Sequence, residues 1–168
     1  GMVLAAAPTG WSAALQGAAP KLSLKSGSEG KVDVAIKNTG TTTWTNSGAN
    51  AVKLGTIKPL DHKSRFYHSG WLSENRVAVA TEASVAPGET AHFSFKVIAA
   101  AYSGSVTERF GLVAEGVAWV SDFELPITID VAAGTWQGTV TTAPSPTLEL
   151  KAGEVTTISV HITNNGDV

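Results

Sequence analysis

The sequence predicts an all-β sandwich, and three observations carry that reading. Apolar residues recur at every second position in several runs. Clusters of Gly, Pro, Asn and Ser interrupt those runs about every 8 to 12 residues, and no segment longer than a turn has a 3.6-residue period. Residues 31–44 anchor the pattern. Val32, Val34 and Ile36 fall on one side of a strand and Lys31, Asp33 and Lys37 on the other. Asn38-Thr39-Gly40 then turns the chain, and Trp44 is expected back in the core.

Taken in order, residues 1–9 read as a small, Pro-containing linker or leader remnant. Residues 11–16 form a first or edge strand. Residues 20–25 form a second, with Leu22 and Leu24 alternating with polar neighbours, and residues 26–30 turn into the strand described above. A strand over 51–57 precedes the longest irregular segment, 58–71, and a weaker strand covers 76–80. Pro87-Gly88 makes a turn in which Pro fixes φ and Gly supplies a positive one. Ala91, Phe93, Phe95 and Val97 then alternate with polar residues. Val106, Phe110, Leu112 and Ala114 share one face of the following strand, Glu115-Gly116 turns, and 117–120 returns. Phe123 to Val131 alternates down a last strand, where Pro126 puts one side at a sheet edge or a bulge. Trp44, Trp119, Phe93, Phe95 and Phe110 are the expected large core residues.

Composition narrows the function. Charged residues are 15% of the chain and nearly balanced at a net −2, so neither a nucleic-acid footprint nor an acidic tail is suggested. The chain has 168 residues and no cysteine, which removes disulfide, zinc-thiolate and thiol-nucleophile chemistry. No apolar run approaches the roughly 18 residues that span a bilayer. Val3 to Ala7 is too short for a signal h-region. It reads either as an Ala-rich leader or as the stretch after a cleaved signal.

The chain repeats itself. Pro20, Leu22, Leu24, Lys25 and Gly27 reappear as Pro146, Leu148, Leu150, Lys151 and Gly153. Val32, Val34, Ile36, Asn38 and Gly40 reappear as Ile158, Val160, Ile162, Asn164 and Gly166, at the same offset of 126 residues. Trp11 matches Trp136 with one residue of slack. The expected organisation is a complete module over 10–133 and the opening strands of a second over 134–168. The copy stops before its own Trp, and a few strands cannot bury an inner face. The parent protein is therefore expected to continue, or these strands borrow partners by strand exchange with the first module or a neighbouring chain.

Asn38-Thr39-Gly40 ahead of Trp44, Pro87-Gly88 ahead of an aromatic strand, and Gly104 leading to Phe110-Gly111-Leu112 and Trp119 resemble the four-tryptophan immunoglobulin-like domain. Residues 66–73 with Asn75-Arg76, and 112–116, look like its bacterial envelope branch. The family's usual aromatic pair after Gly104 is here Val106 and Phe110, so one signature Trp is Phe and a Tyr is lost. The resemblance implies an immunoglobulin-like antiparallel β-sandwich in a tandem array, extracellular or in the cell envelope. The implied role is that of a non-catalytic spacer, presentation or protein-interaction unit. The alternative is a carbohydrate-binding accessory module beside a cell-wall or polysaccharide-active enzyme. The partner is then a protein or a cell-wall glycan, with no nucleic acid and no cofactor.

The segment 58–71 is the candidate site, because binding residues concentrate on loops held by a rigid frame. Arg65, Tyr67, His68 and Trp71 are its candidate ligand-binding residues. Exposed aromatic rings there would offer flat contact faces, whereas Phe66 and Trp71 buried under the loop would not. His62, His68 and Asp61 lack the spacing of a metal site, and Asp122, Glu124 and Asp130 lack an oxygen-rich loop. No Gly-x-Ser-x-Gly elbow exists. Glu108, Glu115, Asp122 and Glu124 are scattered, so neither a nucleophile nor a carboxylate pair is expected.

Overall fold

A computed structural model of the chain describes residues 10–99, 103–134, 138–141, 151–155, 157 and 161–166. The expectations on the 1–9 linker, Trp136, residues 146–150, Ile158 and Val160 lie outside these, as does the centre of the 99–104 turn. Among the described residues the protein is all-β, with no helix. The chain divides into two compact units, Gly1–Ala133 and Gly134–Val168.

The first unit is a sandwich of two main sheets. One contains β1 (Ala13–Gln16), β3 (Glu29–Asn38) and β8 (Thr90–Ile98), in the order β1-β3-β8 and antiparallel throughout. The other runs β2-β11-β9-β5-β6, from β2 (Lys21–Lys25), β5 (Val52–Ile57), β6 (Arg76–Val79), β9 (Gly104–Ala114) and β11 (Leu125–Ala132). It is antiparallel except where β11 lies parallel to β2. Short β10 (Ala118–Trp119) adds to β9, and β4 (Trp44–Thr45) pairs with β7 (Ser84–Val85) to close one end.

Period-2 alternation decides which residues meet between the sheets. Val32, Val34, Ile36, Phe93, Phe95 and Val97 come from the first sheet, and Leu54, Phe110, Leu112, Leu125, Ile127 and Ile129 from the second. Burying a large apolar side chain contributes about 1.5–3 kcal/mol, so this shared layer is what holds a cysteine-free chain together. Trp44 is 2% exposed at the end of that layer, as expected, but its Nε1–H finds no protein acceptor. One side of Pro126 is open, as expected, although β11 is not an outermost strand of its sheet. β11 lies between β2 and β9, but β2 pairs only from Thr128 onward, so no β2 residue faces the missing N–H.

Asn38 fixes the corner between β3 and β4. It is fully buried, and its Nδ2 donates to the carbonyls of Thr42 at 2.9 Å and Val85 at 3.0 Å. Its Oδ1 accepts the Gly40 N–H at 3.1 Å, so every polar atom of the buried amide is paired.

The second unit repeats these local devices. Its β12 (Gly138–Thr141) and β13 (His161–Asn164) pair antiparallel with Gly138 opposite Asn164, as Ala13 stands opposite Asn38 in β1–β3. Asn164 Oδ1 accepts the Gly166 N–H at 2.9 Å, the turn that Asn38 makes with Gly40. Gly153 has φ +93° where Gly27 has +76°. The Glu154 N–H reaches the Lys151 carbonyl at 3.0 Å, as Ser28 reaches Lys25 at 3.1 Å. Burial differs sharply: Ile36 is 0% exposed and its counterpart Ile162 is 70% exposed. Within the second unit no described strand pairs β13 on its other side, the place that β8 takes beside β3.

Candidate functional site

The candidate loop folds inward. Trp71 is 6% exposed and sits edge-on to Phe95 and Phe110, with centroids 6.3 and 6.0 Å away. Its Nε1–H donates to the Lys96 carbonyl at 2.6 Å, and the Ile98 N–H donates to the Phe66 carbonyl at 3.2 Å. Both bonds fall on the edge of β8 that β3 leaves open, so the loop covers a strand edge that would otherwise invite pairing. Phe66 is fully buried.

The four candidate residues therefore divide. Arg65 is exposed, Tyr67 and His68 are half-buried, and Trp71 belongs to the core. Tyr67 meets Trp71 at 5.8 Å with the rings 85° apart, an edge contact rather than a coplanar platform, and Lys63 Nζ lies 5.6 Å from the Tyr67 ring centre. His68 is held locally. Gly70 N–H donates to its Nδ1 at 2.9 Å, so that nitrogen carries no proton and Nε2–H donates to Glu29 at 3.0 Å. Lys96 reaches the other Glu29 oxygen at 2.8 Å, and these two bonds, that of Lys96 first, hold the Glu29 carboxyl below its ordinary range.

A polar cluster that residue spacing did not reveal lies beneath the loop. Glu108 points inward from β9 and is 8% exposed. Ser64 Oγ–H donates to one of its oxygens at 2.9 Å and His62 Nε2 lies 2.9 Å from the other. His62 Nδ1–H donates to the Pro59 carbonyl at 2.5 Å, Thr56 Oγ1–H to the His62 carbonyl at 2.6 Å, and Phe66 N–H to Ser64 Oγ at 3.0 Å. The arrangement contains Ser, His and Glu, but His62 faces Glu108 and not Ser64, so the order differs from that of a Ser–His–acid triad. The available signal was phase: Glu108 shares the side of β9 occupied by Phe110 and Leu112.

Trp119 corrects a core expectation. It is half-buried on the outer face of the larger sheet, outside the intersheet layer. Arg76 lies 5.0 Å over its ring and bonds Glu115 at 2.7 Å and Asp61. Burial opposes the Arg76 charge, yet the bonds from Asp61 and Glu115 outweigh it and raise its pKa. Burial likewise pushes Glu115 up, and Arg76 and Lys53 more than reverse this. The signal here was two glycines inside strands, Gly55 and Gly111, which marked a close approach by something bulky.

The remaining carboxylates are dispersed. Asp122 bonds Ser12 at 2.5 Å, Glu124 bonds Lys58 and Arg109, and Asp130 pairs with Lys21 at 3.0 Å. Among the described residues, no three His, Asp or Glu side chains gather to hold a metal ion, and no helix is long and apolar enough to cross a membrane. A cleft of about 500 Å³ opens between the loop and β9, lined by Lys58, Pro59, His62–Arg65 and Val106–Glu108. A scan against protein-family models and a search of curated proteins both find no match to this chain.

Proposed function

We propose that the chain is a non-catalytic immunoglobulin-like module of the four-tryptophan kind, from an extracellular or cell-envelope protein, acting as a spacer, presentation or protein-interaction unit in a tandem array. The observation that carries this reading is the inward fold of the aromatic loop. Trp71 is 6% exposed and bonded to the Lys96 carbonyl, so Tyr67 and Trp71 do not form the flat exposed row that stacking on a neutral polysaccharide requires. The repeated register of β1–β3 and β12–β13 supports the tandem arrangement.

The test is depletion of the chain by insoluble cellulose, xylan and chitin, read with tryptophan fluorescence. The expected result is no depletion and no spectral change. Depletion abolished by Y67A would favour the accessory carbohydrate-binding reading instead.

A further inference from the structure

The cleft beside β9 combines three kinds of surface. Its interior holds the Glu108 carboxylate, 8% exposed, and Ser64, 3% exposed. Ser64 Oγ–H donates to one Glu108 oxygen and His62 Nε2 lies 2.9 Å from the other, and a carboxylate oxygen accepts about two bonds. Acceptor capacity therefore remains for hydroxyl donors. Pro59 and Val106 supply apolar wall, and Lys58, Lys63 and Arg65 stand at the rim as cations in a chain whose net charge is −2. Lys58 and Lys63 bond Glu124 and Glu74, but both lysine side chains are more than half exposed. Exposed pairs are worth about 0–1 kcal/mol, so an incoming anion can replace either partner.

The backbone adds an independent sign. Lys58 and Asp61, neither of them glycine, both hold φ of +58° around the turn that places Lys58 and His62 on the cleft. Left-handed geometry at such residues costs on the order of 1–3 kcal/mol each and gathers at functional sites. A volume of about 500 Å³ falls within the roughly 300–1,000 Å³ of small-molecule sites.

From these features we infer that the cleft is a binding site for an acidic saccharide: hydroxyls on Glu108, the C–H face against Pro59 and Val106, and a carboxylate or phosphate on Lys58, Lys63 and Arg65. The inference goes beyond the spacer reading and does not depend on it, since neither Tyr67 nor Trp71 lines the cleft.

The experiment is a ¹H–¹⁵N titration of the full chain with glucuronate, glucose 1-phosphate, glucose, acetate and inorganic phosphate. Saturable shifts of amides in 58–65 and 106–108 with glucuronate or glucose 1-phosphate are expected, and whichever binds names the anion. K63E/R65E, altering two exposed side chains, should weaken that binding at least tenfold while the amides of β3, β8 and β11 stay in place. Equal shifts with glucose would overturn the role of charge. Equal shifts with acetate or inorganic phosphate would overturn the role of the hydroxyls. No shift with any probe, or unchanged binding by K63E/R65E, would remove the site altogether without touching the spacer reading, which rests on neutral polysaccharides.

Discussion

Gly55 and Gly111 are register partners across β5 and β9, and the Trp119 indole fills the space that both lack a side chain to occupy. A Cβ at Gly55 would lie 2.7 Å from Trp119 Cη2 and 3.2 Å from the Asn75 carbonyl, and one at Gly111 would lie 3.1 Å from Ile57 Cγ2. The outer face of the larger sheet thus carries its own small packed layer, capped by Arg76. We expect G55A to cost about 1–3 kcal/mol, the range for overpacking, and G111A less. Combined with W119A, the cost of G55A should shrink, because the indole it strikes is gone. Urea denaturation of the four-member cycle measures that coupling, and strict additivity would contradict the packing.

The buried tryptophans should respond differently to loss of the indole N–H. Trp44 Nε1 has no protein acceptor, whereas Trp71 Nε1 serves the Lys96 carbonyl. W71F strands a carbonyl that the loop otherwise covers, and W44F removes a donor that was already unpaired. With similar volume changes, W71F should be the more destabilising by about 1–2 kcal/mol. Chemical denaturation of both variants checks the order.

Glu108 should prove a structural anchor in its own right. E108A leaves His62 and Ser64 without their shared acceptor and opens a void under the loop, for an expected loss of about 2–4 kcal/mol. S64A removes two bonds, the one to Glu108 and the one Ser64 Oγ accepts from the Phe66 N–H, and should cost about 1–3 kcal/mol. Hydrogen exchange should then quicken at the Phe66 and Trp71 amides in E108A before it does in β3.

Acid sensitivity should centre partly on Glu82. Burial alone would raise its carboxyl, but the His92 N–H at 2.8 Å and His92 Nδ1 at 2.6 Å outweigh that and pull it down to about 2. A carboxyl depressed in the folded state contributes stability above its unfolded value of about 4.5, and that contribution is lost as pH falls towards 2. E82Q should therefore be less stable than the parent at pH 7 and should lose less between pH 5 and pH 2. Urea midpoints at pH 7, 5 and 3 report both.

The strands were legible because alternation is a local property: β3, β8, β9 and β11 fall where the apolar residues alternate. Side-chain roles that depend on a second element were not. Glu108 reads as one more scattered acid until the loop brings His62 and Ser64 to it. Trp119 belongs to a two-residue strand, too short for alternation to set its phase, and the adjoining Val120 takes the core position instead. The loop itself was visible as an exception to the pattern, but its direction was decided by Phe95 and Phe110, far away in sequence, which offer Trp71 a place to pack.

The central claim is that Phe66 and Trp71 of the loop belong to the core and do not form an exposed aromatic platform, and the indole N–H of Trp71 tests it most directly. In a ¹⁵N-labelled chain that proton should exchange slowly, show a contact to Lys96, and keep its position when a neutral oligosaccharide is added. Rapid exchange with solvent, or a saturable shift on adding the sugar, would contradict the account.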